Sequence, residues 1–304
     1  MTPTTATRLA AFTAWLERAG TSPHTRRAYL RHLDDFARFV EGSGRELAPT
    51  LDDEHERTFA ARDWRTHLKH TRRLSPASVN QALAALHTFC QFAGLSTPDV
   101  QREDLPQLAP RALNEAEQKR LLRAIERTPS ARDKAIAYTL FYTGLRIAEV
   151  AGLDLSDVIV SDRRGKVIVR RGKGDRQRET PLHPVAREAL RAWLRERRER
   201  WGNAAQSPGD TPGEIPCFVS YQGTRLSTRS MDKLMDHLGQ EAAIEGLSAH
   251  VLRHTFTTNL IRGGQDLVLV AELTGHARLE TVRRYSLPTE QDKERAVAAL
   301  PTDA

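Results

Sequence analysis

The chain has 304 residues, enough for two domains, with 39% hydrophobic and 28% charged residues. It has no apolar stretch near the roughly 18 residues of a membrane span, no basic leader followed by an apolar core, and only two cysteines, Cys90 and Cys217, far apart and outside any CxxC pair. These features exclude a membrane span, a secretory leader, a zinc ribbon and a disulfide framework, and they point to small buried cysteines in a cytoplasmic protein. A net charge of +7 and a pI of about 9.7 favour a polyanionic partner, nucleic acid first.

The charge is uneven. Residues 1–106 carry 14 Lys and Arg against 13 Asp and Glu, and residues 107–304 carry 32 against 26. Part of the second surplus lies in the helix predicted over 184–201, where it reads as a solvated face.

The first hundred residues read as four amphipathic helices, a small bundle. The first spans 7–20 and ends on Gly20. The second, 21–42, starts on Ser22 and Pro23, a capping serine with proline at the first helical position. Its apolar residues Tyr29, Leu33, Phe36 and Val40 fall near one face. The third spans 53–70. The fourth, 74–94, repeats the Ser-Pro start at Ser75 and Pro76 and stops at Gly94. Residues 98–110 lose periodicity, hold three prolines and read as a linker, giving domains at 1–97 and 111–304.

The second domain restarts at Asn114 as a helix cap. A largely apolar helix over 130–144 ends at Gly144, and another follows over 145–153. The period then changes: 165–182 alternates around the turn sequence GKGD and reads as a β-hairpin. Helices follow over 184–201, 227–246, 248–264, 266–276 and 279–286, with a last one over 289–300 and a Gly/Pro/Ser loop at 202–216.

Six polar residues stand out in this domain: Arg146, Lys173, His250, Arg253, His276 and Tyr285. Arg146 sits between Leu145 and Ile147, where a charge is costly unless paired. Glu149, three residues on, could supply that pair. His250 and His254 share a helix face, as helical zinc ligands do, but the residue after the first histidine is Val251 rather than the glutamate a zinc protease uses.

In this order the set resembles the tyrosine recombinase (phage integrase-type) family, of Xer-like or compact mobile-element size. TGLRIAEV (143–150) resembles its first arginine box, HVLRHTFTTNLIRGG (250–264) its His-x-x-Arg-His box, and LTGHARLETVRRY (273–285) its Gly-His box with the tyrosine nine residues later. Residues 22–40 resemble its core-binding module, so the likeness covers nearly the whole chain. No separate arm-binding domain is expected ahead of those helices.

The resemblance implies a mainly α fold with a small β-hairpin or sheet. It would form a two-domain, C-shaped clamp of an N-terminal four-helix core-binding bundle and an α+β catalytic domain. It implies site-specific recombination of double-stranded DNA through a 3′-phosphotyrosine, with no metal and no cofactor. Tyr285 would be the nucleophile and Arg146 and Arg253 would neutralise the phosphate. Lys173 would protonate the leaving oxygen, although Lys166 shares its hairpin. His250 would serve Tyr285 as base, His276 would donate to the phosphate, and His254 would support structure. DNA contacts would come from Thr25, Arg26 and Arg27 and from Ser78, Asn80 and Gln81. The last helix, through Ala296, Val297 and Leu300, would join four protomers, with an accessory DNA-bending or partner recombinase protein possible and a nucleoid-associated location. Alternatives are a DNA-binding protein without catalysis, a type IB topoisomerase, and a metal hydrolase on His250 and His254.

Overall fold

The computed structural model describes residues 5–105, 110–170, 177–202 and 214–275, with Val282, Tyr285, Glu294 and Val297. The chain divides into two compact units, Met1–Pro106 and Gln107–Ala304. Residues 98–105 and 110–113 carry neither helix nor strand.

The first unit has α1 (Thr5–Arg18), α2 (Pro23–Gly42), α3 (Leu47–Asp52), α4 (Glu54–Thr66) and α5 (Pro76–Phe92), with a π turn at His67–Thr71 after α4. Both predicted Ser-Pro starts are present. The Ser22 side chain accepts from the Thr25 amide and Ser75 from the Ser78 amide, and a cap of this kind is worth about 1 kcal/mol. Helix α3 is not predicted, because six residues are too few to show a period. Its end is fixed by Asp53, which accepts from the Glu56 amide to start α4. Phe12, Leu16, Phe36, Trp64, Leu86 and Phe89 fill the core, with Phe12 edge-on to Phe89 and Phe36 edge-on to Trp64. Arg57 is also buried. It is satisfied by the Ser96 carbonyl at 3.1 Å, the Leu51 carbonyl and the Ser96 hydroxyl.

The second unit has α6 (Glu115–Arg127), α7 (Ala131–Thr143), α8 (Ile147–Ala151), a 3₁₀ turn (Leu155–Asp157), β1 (Val158–Val160), β2 (Gly165–Val169) and β3 (Arg178–Pro181). These are followed by α9 (Pro184–Trp201), α10 (Thr228–Glu241), α11 (Ala249–Arg262) and α12 (Leu267–Thr274). The predicted hairpin is β2–β3, antiparallel with Val167 opposite Thr180. Strand β1 adds to it as an antiparallel edge, with Val158 opposite Val167, so the sheet has three strands in the order β1-β2-β3. Helix α7 is buried almost all round through Ala135, Ile136, Ala137, Leu140 and Phe141, and it packs against α9 and α11. It is the post around which the site is built. Asn114 caps α6 with a full capping box, and Ser227 caps α10.

The charged face of α9 is not all solvated. Arg197 is buried and donates to the carbonyls of Pro216, at 3.0 Å, and Gly202, at 2.9 Å. Both cysteines are buried and free. Burial pushes the Cys90 thiol up to about 11 and the Cys217 thiol up to about 12. None of the described helices is long and apolar enough to cross a membrane.

Burial lowers the pKa of His32, His87 and His183 below the ordinary 6.5. The unfolded chain therefore binds more protons than the fold just below that value, and stability falls as pH drops through it. The urea midpoint is expected to be lower at about pH 5.5 than at about pH 7.5. An equal midpoint at both would contradict this.

Candidate active site

The site begins where α7 ends. Gly144 closes that helix at φ +62°, and a Cβ there would run into the Phe256 ring. The chain then turns through Leu145 to Arg146, which is the N-cap of α8. Glu149, in the first turn of α8, meets Arg146 twice. Its carboxylate accepts from the Arg146 backbone amide and from Nη1, each at 2.8 Å. Arg146 Nη2 also reaches the Gly275 carbonyl at 3.4 Å, and a third of the side chain stays exposed.

The Glu149 side chain is only 6% exposed and holds a second arginine. Arg178, the first residue of β3, donates Nη1 to Oε1 at 3.1 Å and Nη2 to Oε2 at 2.7 Å. Its Nε reaches the Leu273 carbonyl at 3.3 Å. Burial alone would raise the Glu149 pKa, but the hydrogen bonds and charge of Arg178, joined by Arg146, hold it below the usual carboxylate range. Gly275, at φ +67°, lets the chain pass this pair, since a Cβ there would lie 2.8 Å from Arg178 Nη1.

Arg253 comes from α11 and is 2% exposed. It donates Nη1 to the Gly144 carbonyl at 2.7 Å and Nη2 to the Thr274 carbonyl at 2.6 Å. Burial, with Arg146 next in weight, brings its pKa down to about 10, so it is still a cation at neutral pH. Three positions of α11 share a face, 250, 253 and 254. His250 is exposed, and desolvation followed by the charges of Arg253 and Arg146 keeps its imidazole pKa low. Its ring stands edge-on to His254, with centroids 4.3 Å apart. His254 Nδ1 lies 2.6 Å from the Tyr285 hydroxyl, and Tyr285 is buried at 7% exposure.

The structure thus brings Arg146, His250, Arg253 and Tyr285 together. Lys173 and His276 lie outside the described residues, as do Ala296 and Leu300; Val297 is 68% exposed. Among the described residues no group of three His, Cys, Asp or Glu side chains could hold a metal ion.

The proposed DNA contacts lie at the starts of α2 and α5, which pack together in the first unit. Arg27 and Gln81 are exposed. Arg26 pairs with Glu17 at 3.3 Å, and the hydroxyls of Thr25 and Ser78 meet those of their capping serines. The Asn80 amide is used within the unit: it donates to the Glu103 carbonyl and accepts from the Glu103 amide, each at 2.8 Å.

Sequence reasoning misses two features. Arg178 shares strand parity with buried Thr180, which marks it as inward-facing, but parity cannot name its partner. His254 is expected to be structural, and nothing local in the sequence ties it to a tyrosine 31 residues away.

A family profile described as "Phage integrase family" matches residues 111–292, and one described as "Phage integrase, N-terminal SAM-like domain" matches residues 9–95. The chain is 32% identical over 281 residues to tyrosine recombinase XerC of Vibrio atlanticus (strain LGP32), covering 88% of this chain and 83% of that protein. It is 32% identical over 289 residues to tyrosine recombinase XerC of Myxococcus xanthus, covering 91% and 92%. The crystal structure of XerA recombinase aligns over 97% of this chain and 99% of its own, at 27% identity and a TM-score of 0.52. XerH site-specific recombinase bound to its difH substrate in a pre-cleavage complex shares the fold, at 22% identity and a TM-score of 0.71 over 98% and 85% of the two chains.

Proposed function

The chain belongs to the phage integrase family and is a tyrosine site-specific recombinase, and from that premise we propose how its residues cut and rejoin double-stranded DNA. The reading rests on one observation above all: Arg253, His250 and His254 occupy one face of α11, with the Tyr285 hydroxyl on His254 and the Arg146 guanidinium beside them. Attack of Tyr285 on a phosphodiester forms a 3′-phosphotyrosine and frees a 5′-hydroxyl. Charge gathers on the non-bridging oxygens. Two guanidinium groups, Arg253 buried and Arg146 partly exposed, are suited to neutralise it.

The proton of Tyr285 goes to one of the two α11 imidazoles, His250 or His254. The leaving 5′-oxygen takes its proton from Lys173, and His276 donates a hydrogen bond to the phosphate. Arg26, Arg27 and Gln81 contact the DNA backbone, and Thr25 and Ser78 support them from the starts of α2 and α5. The Asn80 amide orders the Glu103 segment behind them. Every cation and donor in this scheme is a protein side chain, so no cofactor enters it. The enzyme acts on DNA in the cytoplasm, at the nucleoid.

The test is an SDS-resistant protein–DNA adduct formed with duplex DNA from around its own gene, in EDTA. An adduct supports the scheme and its map position gives the site. Tight binding without any adduct would favour a binding protein, and relaxation of supercoiled DNA with no site requirement would favour topoisomerase activity.

Exchange of strands requires paired sites and, in this reading, four protomers joined through the segment 289–300, where the sequence predicts a last helix. The exposed Val297 supports that role. Deleting the residues after Pro288 is expected to turn a cooperative gel-shift titration into a non-cooperative one. Undiminished cooperativity would refute it.

A further inference from the structure

We propose that His254 is a catalytic residue: it holds the Tyr285 hydroxyl and takes its proton as that oxygen attacks phosphorus. This rests on the reading of Tyr285 as nucleophile. The geometry that carries it is the 2.6 Å approach of His254 Nδ1 to the tyrosine hydroxyl, at the short end of hydrogen-bond distances. His254 is half-buried, one residue beyond Arg253 on the same helix, so the hydroxyl is held beside the guanidinium that would neutralise the phosphate. His250 lies one turn earlier, exposed, with its ring edge-on to His254. The inner imidazole touches the nucleophile, and the outer one stands against the inner ring.

The chemistry needs such a partner. A phenol loses its proton near pH 10 and an imidazolium near 6.5, so transfer between them at rest is uphill. It becomes favourable as the oxygen bonds to phosphorus, because the ether-like oxygen is no longer basic. In the forward step the bond from Tyr285 Oη to phosphorus forms and the bond from phosphorus to the 5′-oxygen breaks. The phenolic proton passes to His254 Nδ1, and the 5′-oxygen receives a proton from a separate acid. In the reverse step the 5′-hydroxyl attacks phosphorus and gives its proton back to the separate acid, the bond from phosphorus to Oη breaks, and His254 returns its proton to Oη. The imidazole ends each cycle as it began. The charge of Arg253 is close enough to Tyr285 to interact with it and favours the developing phenolate character.

The closing experiment compares wild type, His254→Ala and His254→Asn in the adduct assay on DNA from around the gene. Asparagine places an amide near the position of Nδ1 and keeps the hydrogen bond, but it cannot accept a proton. Both variants are expected to form adduct about 100-fold more slowly than wild type or worse. His254→Asn should keep the melting temperature, so its slower cleavage is not a folding defect. A drop under tenfold in His254→Ala, or recovery to within tenfold in His254→Asn, would overturn the assignment. The second measurement is a ¹⁵N-histidine NMR spectrum of the DNA-free protein. Tyr285→Phe should move the Nδ1 resonance that disappears in His254→Asn, and an unmoved resonance would overturn the hydrogen bond itself. If wild type forms no adduct, the strand-cleavage reading fails, and the NMR arm still decides whether His254 holds Tyr285.

Discussion

Tyr285→Phe is expected to abolish the SDS-resistant adduct, a decrease on the order of 10⁴-fold or more, while DNA binding in a gel shift stays within a few-fold of wild type. Phenylalanine keeps the ring and its burial and removes only the oxygen, so the packing of a residue that is 7% exposed is preserved. The substitution deletes the hydrogen bond between the tyrosine hydroxyl and His254. A net neutral hydrogen bond is worth about 1 kcal/mol, so a small drop in melting temperature accompanies the failure of the chemistry. The two effects differ by orders of magnitude, which is how they are told apart. An adduct that survives in Tyr285→Phe would place the nucleophile elsewhere and undo the scheme.

The second large effect is structural. Arg178→Ala is expected to cost about 3 kcal/mol of stability, read as a lower urea midpoint, because it leaves the buried Glu149 carboxylate with one partner less. This is the low end of the range for broken buried pairs, since Arg146 still holds Glu149. Adduct formation should fall about 100-fold as well, because Arg146 is deprived of the support that fixes its guanidinium. Arg178→Lys should not restore either property, as an ammonium cannot make two parallel bonds to one carboxylate. Removing Glu149 in the same chain should cost less than the two single substitutions added together. A pH scan gives an independent check. The folded Glu149 has a depressed pKa, so its contribution is complete above the ordinary 4.5 and is lost as pH falls through the folded value. Arg178→Ala should therefore shrink the acid-side decline of stability. Additive costs and an unchanged acid limb would show that the pair is not coupled.

Much of the fold can be read from local signals. The Ser-Pro starts at 22–23 and 75–76, the Asn114 cap and the Gly144 stop each act within a few residues, and each is where the sequence pattern puts it. Helix α3 and strand β1 escape because six and three residues cannot establish a period. In the site, Arg146 draws attention as a charge in an apolar setting. The pair with Glu149 that could explain it blandly is present, yet it coexists with a partly exposed guanidinium. What cannot be read are the long-range partners. Arg178 to Glu149 spans 29 residues, Arg253 to Gly144 spans 109, and His254 to Tyr285 spans 31. Such pairs are set by how α7, α8, β3, α11 and α12 pack, and no periodicity or cap encodes them.

Arg253 makes bonds of a particular kind, to the main-chain carbonyls of Gly144 and Thr274, at the ends of two different helices. Carbonyls in those positions exist only when α7 and α12 are both formed and docked. The cation that would meet a phosphate is therefore in place only in a fully assembled catalytic unit. A molecule in which only these helix ends have melted has lost the carbonyls that hold Arg253, and with them the site with which to break a strand, while its first unit is untouched. For an enzyme whose misfires would be lesions in the genome, this ties the capacity for damage to the integrity of the fold: heat or denaturant should end cleavage before it ends binding.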